Sequence, residues 1–501
     1  MKNILRILLA AALTFGIPSC MRNYSHDYDF PKYDQGYNGE RDPVSGDTFY
    51  ETVENPFIKV AQQPESSFSV DADGASYAYM RRCVKYGRIP AADAIRTEEF
   101  LNYFTFDYPA PKGDETLALN AEIGDCPWAE GHKLLRIGLK GKELSEAEMP
   151  EANFILLIDT SGSMSGTDRI DLLKSGLCNM VDALRPTDRV SIITYSGKVS
   201  KVLESTLVKD SETIKKAIKG LIASGSTAGG EAMKMAYEEA VAHYIKGGNN
   251  RIIMCTDGDF NVGVSSTDAL VEMVENYLDK GIYLSIMGFG TGNYQDARME
   301  SLSNHGNGTY TYIDCEDEMM KVFVNERSHF FSVANDVKCQ VRFTENVDSY
   351  RLIGYENRVM SSEEFQDDKK DAGEIGAGQT VTALYEIIPS QTYTMHATAA
   401  IINVRYKKAL GEDSFLLTEN TGIPVEGVKP SSEFGFAAGL AAFALTLRNS
   451  SYKGTASLSM ATDLIKPAVK PAGDTDPMGL RSQLLELIDK ASGVIGQQQP
   501  Q

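Results

Sequence analysis

The sequence predicts an α/β fold with a doubly wound, mostly parallel sheet, preceded by a small helical segment and followed by an antiparallel β module. Between residues 151 and 330, short apolar runs alternate with amphipathic helical runs, as in a parallel sheet covered by helices on both faces. After residue 330, apolar and polar residues alternate, as in strands with one solvated face. The chain of 501 residues is long enough for both.

Residues 1–19 have the pattern of a secretory signal peptide. Lys2 and Arg6 supply a positive start, and the apolar stretch after them is too short to span a bilayer. It ends at Cys20 in a pattern that resembles the bacterial lipobox, although Pro18 is unusual there. We expect lipidation of Cys20 and a cell-envelope location with a lipid anchor in a membrane. Ordinary cleavage, with Cys20 unmodified, is the alternative.

The next two segments have different compositions. Residues 20–54 are rich in Tyr, Asp, Gly and Asn without sustained periodicity, which predicts a flexible tether. Residues 55–112 are predicted to be a small helical segment, with helical apolar spacing over 76–86 and 94–104. The Asp-Ala-Asp-Gly stretch at 71–74 lacks the downstream ligands of a calcium-binding EF-hand, so we interpret it as a turn and helix cap.

Two strands are predicted in residues 113–150, at 117–123 and 133–139. Because a two-stranded hairpin is marginal alone, we expect them to pair with strands of the β module at 331–490, making one discontinuous β domain. The strands predicted in that module are 337–343, 350–355, 381–388 and 399–406. The apolar run 434–447 is too short to cross a membrane and predicts a buried helix. Residues 491–501 are predicted to be a disordered tail.

Polar side chains follow the strands predicted within residues 151–330. Asp159 begins an Asp-Thr-Ser-Gly-Ser run directly after one apolar strand, and Asp257 follows another. Thr227 precedes a helix. Because ligands of open α/β sheets gather at the carboxyl ends of strands, we expect these loops to converge. The candidate metal ligands are Asp159, Ser161, Ser163, Thr227 and Asp257.

Three hydroxyls and two carboxylates are donors that suit a hard dication. The predicted metal is Mg²⁺, with Mn²⁺ or Ca²⁺ as alternatives. Ordinary strand-end turns and helix caps, which Asp, Ser and Thr also favour, are the competing interpretation.

Residues 153–330 resemble the von Willebrand factor type A domain and its metal-ion-dependent adhesion site. The resemblance implies that Ser161, Ser163 and Thr227 bind the metal directly through their hydroxyls. It also implies that Asp159 and Asp257 bind directly or hold waters. The same family resemblance implies a binding module without enzymatic activity.

The flanking segments extend the resemblance. Residues 68–77 look like the N-terminal domain attached to some bacterial von Willebrand domains, and residues 350–358 and 371–378 look like the C-terminal domain of unknown function in the same proteins. The similarity covers residues 50–490, roughly, and gives the architecture without a known biochemical role.

Charge and composition narrow the partner. The formal net charge is −20. Because a nucleic-acid partner requires a concentrated basic surface, we expect none here. No cysteine spacing predicts a zinc site. We expect an unidentified protein partner that offers an Asp or Glu carboxylate to the metal.

Two other functions stay open at this point. A Mg²⁺-dependent hydrolase would use Asp159 as nucleophile and would need a positioned acid or base; the phosphatases that it would resemble have an Asp where Ser161 stands. A passive structural or glycan-binding envelope lipoprotein would use exposed aromatic side chains, which Trp128 and scattered tyrosines do not reveal from sequence.

Overall fold

A computed structural model describes residues 47–225, 229–258, 267–278, 280–292, 294–392, 397–424, 428–470 and 476–498. All of them belong to one compact unit, Val44–Gln501. The predicted signal peptide, Cys20 and most of the predicted tether lie outside the described residues, and so does Thr227.

The described secondary structure consists of strands, α-helices and short helical turns. The strands are β1 Ile58–Lys59, β2 Glu65–Ser69, β3 Leu117–Asp125, β4 Lys133–Gly141, β5 Ala152–Asp159, β6 Arg189–Tyr195, β7 Val199–Leu207, β8 Asn249–Thr256, β9 Ile282–Phe289, β10 Tyr310–Ile313, β11 Ser332–Phe343, β12 Val347–Ile353, β13 Val359–Met360, β14 Gly373–Gly376, β15 Thr380–Pro389, β16 Thr398–Lys407 and β17 Phe415–Gly422. The helices are α1 Ala75–Lys85, α2 Thr97–Asn102, α3 Ile170–Ala183, α4 Ser211–Lys219, α5 Gly229–Ala242, α6 Thr267–Leu278, α7 Asp296–Asn304, α8 Glu316–Met320, α9 Ser362–Gln366, α10 Ser432–Leu447, α11 Leu458–Ile465 and α12 Leu480–Gln498.

The central sheet has the strand order β10-β9-β8-β5-β6-β7. It is parallel except for β7, which pairs antiparallel with β6 at one edge. Every residue of β5 and β8 is buried, because helices pack on both faces and enclose two apolar cores. The predicted doubly wound α/β fold is confirmed. The sequence did not predict β7, whose residues are half-buried or exposed and do not form an apolar run.

The remaining strands form two antiparallel sheets, ordered β1-β12-β15-β4-β3 and β13-β2-β11-β16-β17, with β14 also on β11. Apolar side chains from both sheets share one core, so they form a β-sandwich. The early strand β4 pairs with the late strand β15, with Leu139 opposite Val381. This is the pairing expected for residues 117–139. The sandwich is therefore built from chain segments on both sides of the α/β domain.

The segment predicted to be helical also contributes strands. In addition to α1 and α2, it contains β1 and β2, which pair with β12 and β11 respectively. The predicted tether was too long: within its last part, the Asp47 carboxylate accepts hydrogen bonds from the N–H groups of Gly292 and Tyr294, both at 2.8 Å. Residues 47–54 are thus part of the folded body, because their polar groups pair with residues far along the chain.

The end of the chain also differs from the prediction. Helix α12 continues to Gln498, so residues 491–498 of the predicted disordered tail are helical. The reason is packing: Ala491 and Val494 are buried, and α12 contacts α1 and α11. Helix α10 corresponds to the buried helix predicted at 434–447. Among the described helices, none has the length and apolarity required to cross a membrane.

Candidate metal centre

Two carboxylates lie side by side at the carboxyl edge of the central sheet. Asp159 is the last residue of β5, and Asp257 directly follows β8. These strands are neighbours, with Ile158 opposite Cys255, so the residues that follow meet at one edge. The Thr256 hydroxyl donates a 3.4 Å hydrogen bond to Asp159 Oδ2. Asp159 is fully buried and Asp257 is 7% exposed.

The loop after β5 brings two hydroxyls beside the first carboxylate. The Ser161 N–H donates a 2.7 Å hydrogen bond to Asp159 Oδ1, which fixes the loop against that carboxylate. A 3₁₀ turn, Gly162–Met164, then places Ser163 Oγ 2.9 Å from Ser161 Oγ. Ser161 is buried, whereas Ser163 is exposed to solvent. The hydroxyl pair therefore reaches from the buried carboxylate to the surface.

A third loop is held against this one. The Gly162 N–H donates to the Gly225 carbonyl at 2.9 Å, and the Ser224 N–H donates to the Thr160 carbonyl at 2.7 Å. Gly225 has a φ of 88°, which a side chain would strain. The described part of the loop ends at Gly225, two residues before Thr227. The placement of Thr227 stays a prediction, but the loop that leads to it contacts the Asp159 loop.

The electrostatics of the loop favour a cation. Burial, with a smaller contribution from repulsion by the Asp257 carboxylate, raises the pKa of Asp159 to about 7, against the hydrogen bonds from Ser161 and Thr256. Burial and the nearby Asp159 carboxylate also raise the pKa of Tyr195. A carboxylate that is costly to ionise, with a second carboxylate and hydroxyl oxygens nearby, is a donor set that fits a hard dication.

Three family models match consecutive parts of the chain. They are von Willebrand factor over residues 43–136, von Willebrand factor type A domain over residues 153–325, and the C-terminal region of the uncharacterized protein YfbK over residues 328–494. Their order agrees with the three parts that the sequence indicated.

Individual relatives match to different extents. The chain is 37% identical over 468 residues to the uncharacterized protein YfbK of Escherichia coli K12, covering 88% of this chain and 80% of that protein. It is 30% identical to human inter-alpha-trypsin inhibitor heavy chain H3 over 179 residues, which are 33% of this chain and only 20% of that protein. A solved structure, von Willebrand factor type A from Catenulispora acidiphila, is 15% identical, with a TM-score of 0.42, covering 73% of this chain and 93% of that one.

Von Willebrand factor type A domains generally mediate protein–protein interactions and are generally not enzymes. The similarity to YfbK covers 88% of this chain, so it is not limited to the central domain at residues 153–325. This chain belongs to the family of bacterial von Willebrand factor type A proteins that includes YfbK.

Proposed function

We propose that this protein is an envelope lipoprotein that binds a protein partner through a divalent metal ion. The proposed ligands are Asp159, Ser161, Ser163, Thr227 and Asp257. The observation that carries the proposal is the placement of Asp159 beside Asp257, with the Ser161 and Ser163 hydroxyls 2.9 Å apart on the adjoining loop.

The donor types favour Mg²⁺. This ion takes about six oxygen ligands in octahedral geometry and usually keeps several waters. Ser163 is the exposed member of the hydroxyl pair, so the open side of the site faces solvent. A carboxylate from a partner would complete the coordination there. The charge of this protein also makes a metal necessary for binding an acidic partner. Removal of residues 1–19 would take away Lys2 and Arg6 and leave 47 basic against 69 acidic residues, a net charge of −22. Such a protein repels acidic groups unless a cation lies between them.

Hydrolysis is less well supported than binding. Both oxygens of Asp159 already accept hydrogen bonds, from the Ser161 N–H and the Thr256 hydroxyl, which orient the carboxylate as a metal ligand would be oriented. The phosphatases that an aspartyl nucleophile would resemble have an Asp at the second residue after it as acid or base, whereas that residue here is Ser161.

The metal is tested first, without a partner. Binding of Mn²⁺, as a spectroscopic substitute for Mg²⁺, is measured by electron paramagnetic resonance for the wild type, Asp159→Ala and Thr227→Ala. We expect both substitutions to weaken binding at least tenfold, and Mg²⁺ to compete. Glu412→Ala, at an exposed position far from the site in sequence, is the control and should bind as the wild type does. Equal binding by all four proteins, with the fold intact by circular dichroism, would refute the metal site.

The partner is tested by crosslinking and capture from membranes of the source bacterium in Mg²⁺ and in EDTA. We expect a protein that is captured by the wild type in Mg²⁺ and is lost both in EDTA and with Asp159→Ala. Capture that is equal in all three conditions would contradict metal-dependent binding and favour the passive structural alternative.

The lipid anchor is tested separately. Cys20→Ala should move the protein from the membrane fraction to the soluble fraction, because the cysteine is the proposed attachment point. Cys178→Ala is the matched control, since Cys178 is a half-buried thiol on α3 and should leave the membrane fraction unchanged. A wild-type protein that is already soluble would contradict the anchor.

A further inference from the structure

A second group of carboxylates shares no residue with the candidate metal centre. We call it the acidic junction, because its members come from the N-terminal segment and from α7, and the β-sandwich residue Arg358 contacts it. Each carboxylate in it is at most 4% exposed. The members are Asp71, Asp73, Glu98, Glu99, Asp296 and Glu300.

Three of these side chains converge. Carboxylate oxygens of Asp71, Glu99 and Glu300 all lie within 4.8 Å of one another. Two oxygens on opposite sides of a Ca²⁺ ion are about 5 Å apart, since each lies about 2.4 Å from the ion. The three oxygens are therefore close enough to share one cation.

Positive charge within the junction is scarce. Among the described residues, Arg96 forms ion pairs with Glu99, Asp296 and Glu300, and Arg358 with Asp71. Six carboxylates against two guanidinium groups leave four negative charges uncompensated if all six are ionised. A dry interior does not tolerate such an excess, so protons or a cation must balance it.

Three carboxylates of the junction have an unsatisfied oxygen. Asp73 Oδ2, Glu98 Oε2 and Glu300 Oε2 are buried without a hydrogen-bond partner among the described residues, and Glu300 Oε2 lies 3.5 Å from a guanidinium nitrogen of Arg96. Asp73 Oδ1 accepts a 2.8 Å hydrogen bond from the Tyr310 N–H, which fixes the orientation of that carboxyl group. Burial raises the pKa of Asp73 well above its usual range, and repulsion from Asp71 and Glu99 adds to this. Burial likewise raises the pKa of Glu98, with repulsion from Glu356, Asp71 and Glu99.

This arrangement differs from the helix cap expected at residues 71–74. The Asp73 N–H donates to Asp71 Oδ1 at 2.9 Å, so the turn is present. Neither aspartate caps α1, however. Asp73 bonds to the distant Tyr310, and it is Glu99 Oε2 that accepts a 2.7 Å hydrogen bond from the Ser76 N–H in the first turn of α1. Acidic side chains at a turn have thus been buried with other carboxylates.

A cavity gives access to the junction. Its volume is about 270 Å³, and its wall includes Arg96, Glu98, Glu300 and Glu356. The unsatisfied Glu98 and the converging Glu300 therefore border the same space. Among the described residues of its wall, four are glutamates and Arg96 is the one basic residue, so the cavity favours a cation.

We propose that the acidic junction binds one Ca²⁺ ion, with Asp71, Glu99 and Glu300 as protein ligands and waters completing the shell. Ca²⁺ fits better than Mg²⁺ because it accepts six to eight oxygens in irregular geometry. The ion would fasten the N-terminal segment to α7. The start of α7 also lies close to the candidate metal centre. Gly258 follows Asp257, and a Cβ added to Gly258 would lie only 2.6 Å from the backbone nitrogen of Gln295, the residue before α7. The junction therefore borders the candidate metal centre but does not depend on it.

The experiment uses the full mature chain carrying Asp159→Ala, so that the candidate metal centre cannot contribute. Calcium binding is measured by isothermal titration and native mass spectrometry, and thermal melting is followed with and without Ca²⁺. We expect one bound Ca²⁺ per chain and a higher melting temperature. Adding Glu300→Gln should weaken binding at least tenfold, and Asp71→Asn should weaken it further, because both carboxylates belong to the converging group. Glu412→Gln, at an exposed position, should have no effect.

The outcomes separate the ion from protons. If the chain binds no Ca²⁺, the proposal is overturned, and a higher melting temperature for Asp73→Asn would then show that protonated carboxyl groups balance the junction. Binding that Glu300→Gln and Asp71→Asn leave unchanged would also overturn it, since the ion would then lie elsewhere. Because every variant carries Asp159→Ala, a failure here leaves the proposed function untouched.

Discussion

Asp159→Asn should have opposite effects on stability with and without metal. Burial, with repulsion from Asp257, raises the pKa of Asp159 from 3.8 to about 7 in the metal-free fold. Between these values the folded state holds a proton that the unfolded state has lost. The free energy of unfolding must therefore decrease as pH rises through this interval.

The size of the effect follows from the two pKa values. Linkage gives a loss of about 3 kcal/mol for the wild type between about pH 5 and pH 8. Asn cannot ionise, so the variant lacks this loss. Its amide oxygen can still accept the hydrogen bond that the Ser161 N–H now donates to Asp159 Oδ1. In EDTA, the stability of the variant relative to the wild type should thus increase by about 3 kcal/mol over that range.

Hydrogen exchange of the β5 amides is a suitable assay, because it reports the opening of the central sheet separately from the sandwich. Wild type and variant are compared at the same pH, so the intrinsic exchange rates cancel. Adding Mg²⁺ at a hundred times its dissociation constant should stabilise the wild type by about 2.7 kcal/mol and the variant by less. Asp413→Asn, at an exposed position, is the control.

Two results would refute this reasoning. If the difference in protection between wild-type and variant amides is the same at about pH 5 and about pH 8 in EDTA, ionising the Asp159 carboxylate does not destabilise the fold. If Mg²⁺ protects both proteins equally, Asp159 does not bind the ion.

Two further predictions concern the stability of the fold. Arg481→Ala should cost about 3–5 kcal/mol in urea unfolding, because the guanidinium forms two 2.8 Å hydrogen bonds with the buried Glu433 carboxylate. These bonds hold the pKa of Glu433 below its usual value, although burial opposes them. The stability that the Arg481–Glu433 pair contributes should therefore be lost as pH falls through that lowered pKa. A cost of Arg481→Ala that does not change with pH would contradict this prediction. Gly308→Ala should lower the melting temperature strongly, because a Cβ there would lie 1.8 Å from the Leu284 carbonyl oxygen. The control Gly493→Ala, whose Cβ would have nothing within 4 Å, should be neutral or stabilising by up to about 1 kcal/mol. Equal shifts in melting temperature for the two variants would contradict the steric argument.

The central sheet could be predicted because its information is local. Strands β5 and β8 are buried on both faces and are therefore apolar along their whole length, which the sequence displays directly. The same runs mark where the strands end, and the polar residues after them are Asp159 and Asp257. A single topological rule, that parallel strands end at one edge, then brings the two carboxylates together.

The features that the sequence did not reveal depend on distant partners. Strand β2 contains Ser-Ser-Phe-Ser and no alternating pattern, yet β11 and β13 flank it on both sides and bury it. The carboxylates of Glu98 and Glu99 look like the solvated face of a short helix, but every residue of α2 is buried. The acidic junction forms because α7 and the β-sandwich pack against α2 in the folded chain. No local spacing of residues in the sequence indicates that packing.

The surface available to a partner is shared between two parts of the chain. Asp47 bonds to the N–H groups of Gly292 and Tyr294, which follow β9 at the same edge of the sheet as the candidate metal centre. Arg82 of α1 forms a 2.6 Å ion pair with Asp168, in the loop that continues from the two serines. The N-terminal segment therefore covers one side of the edge that carries the site. If a partner binds at the proposed metal site from the open side, we expect it to come close to this segment as well. An isolated central domain would lose both contacts, leaving Asp168 without its arginine and the β9 loop without its acceptor, so the structure of this edge depends on the whole chain.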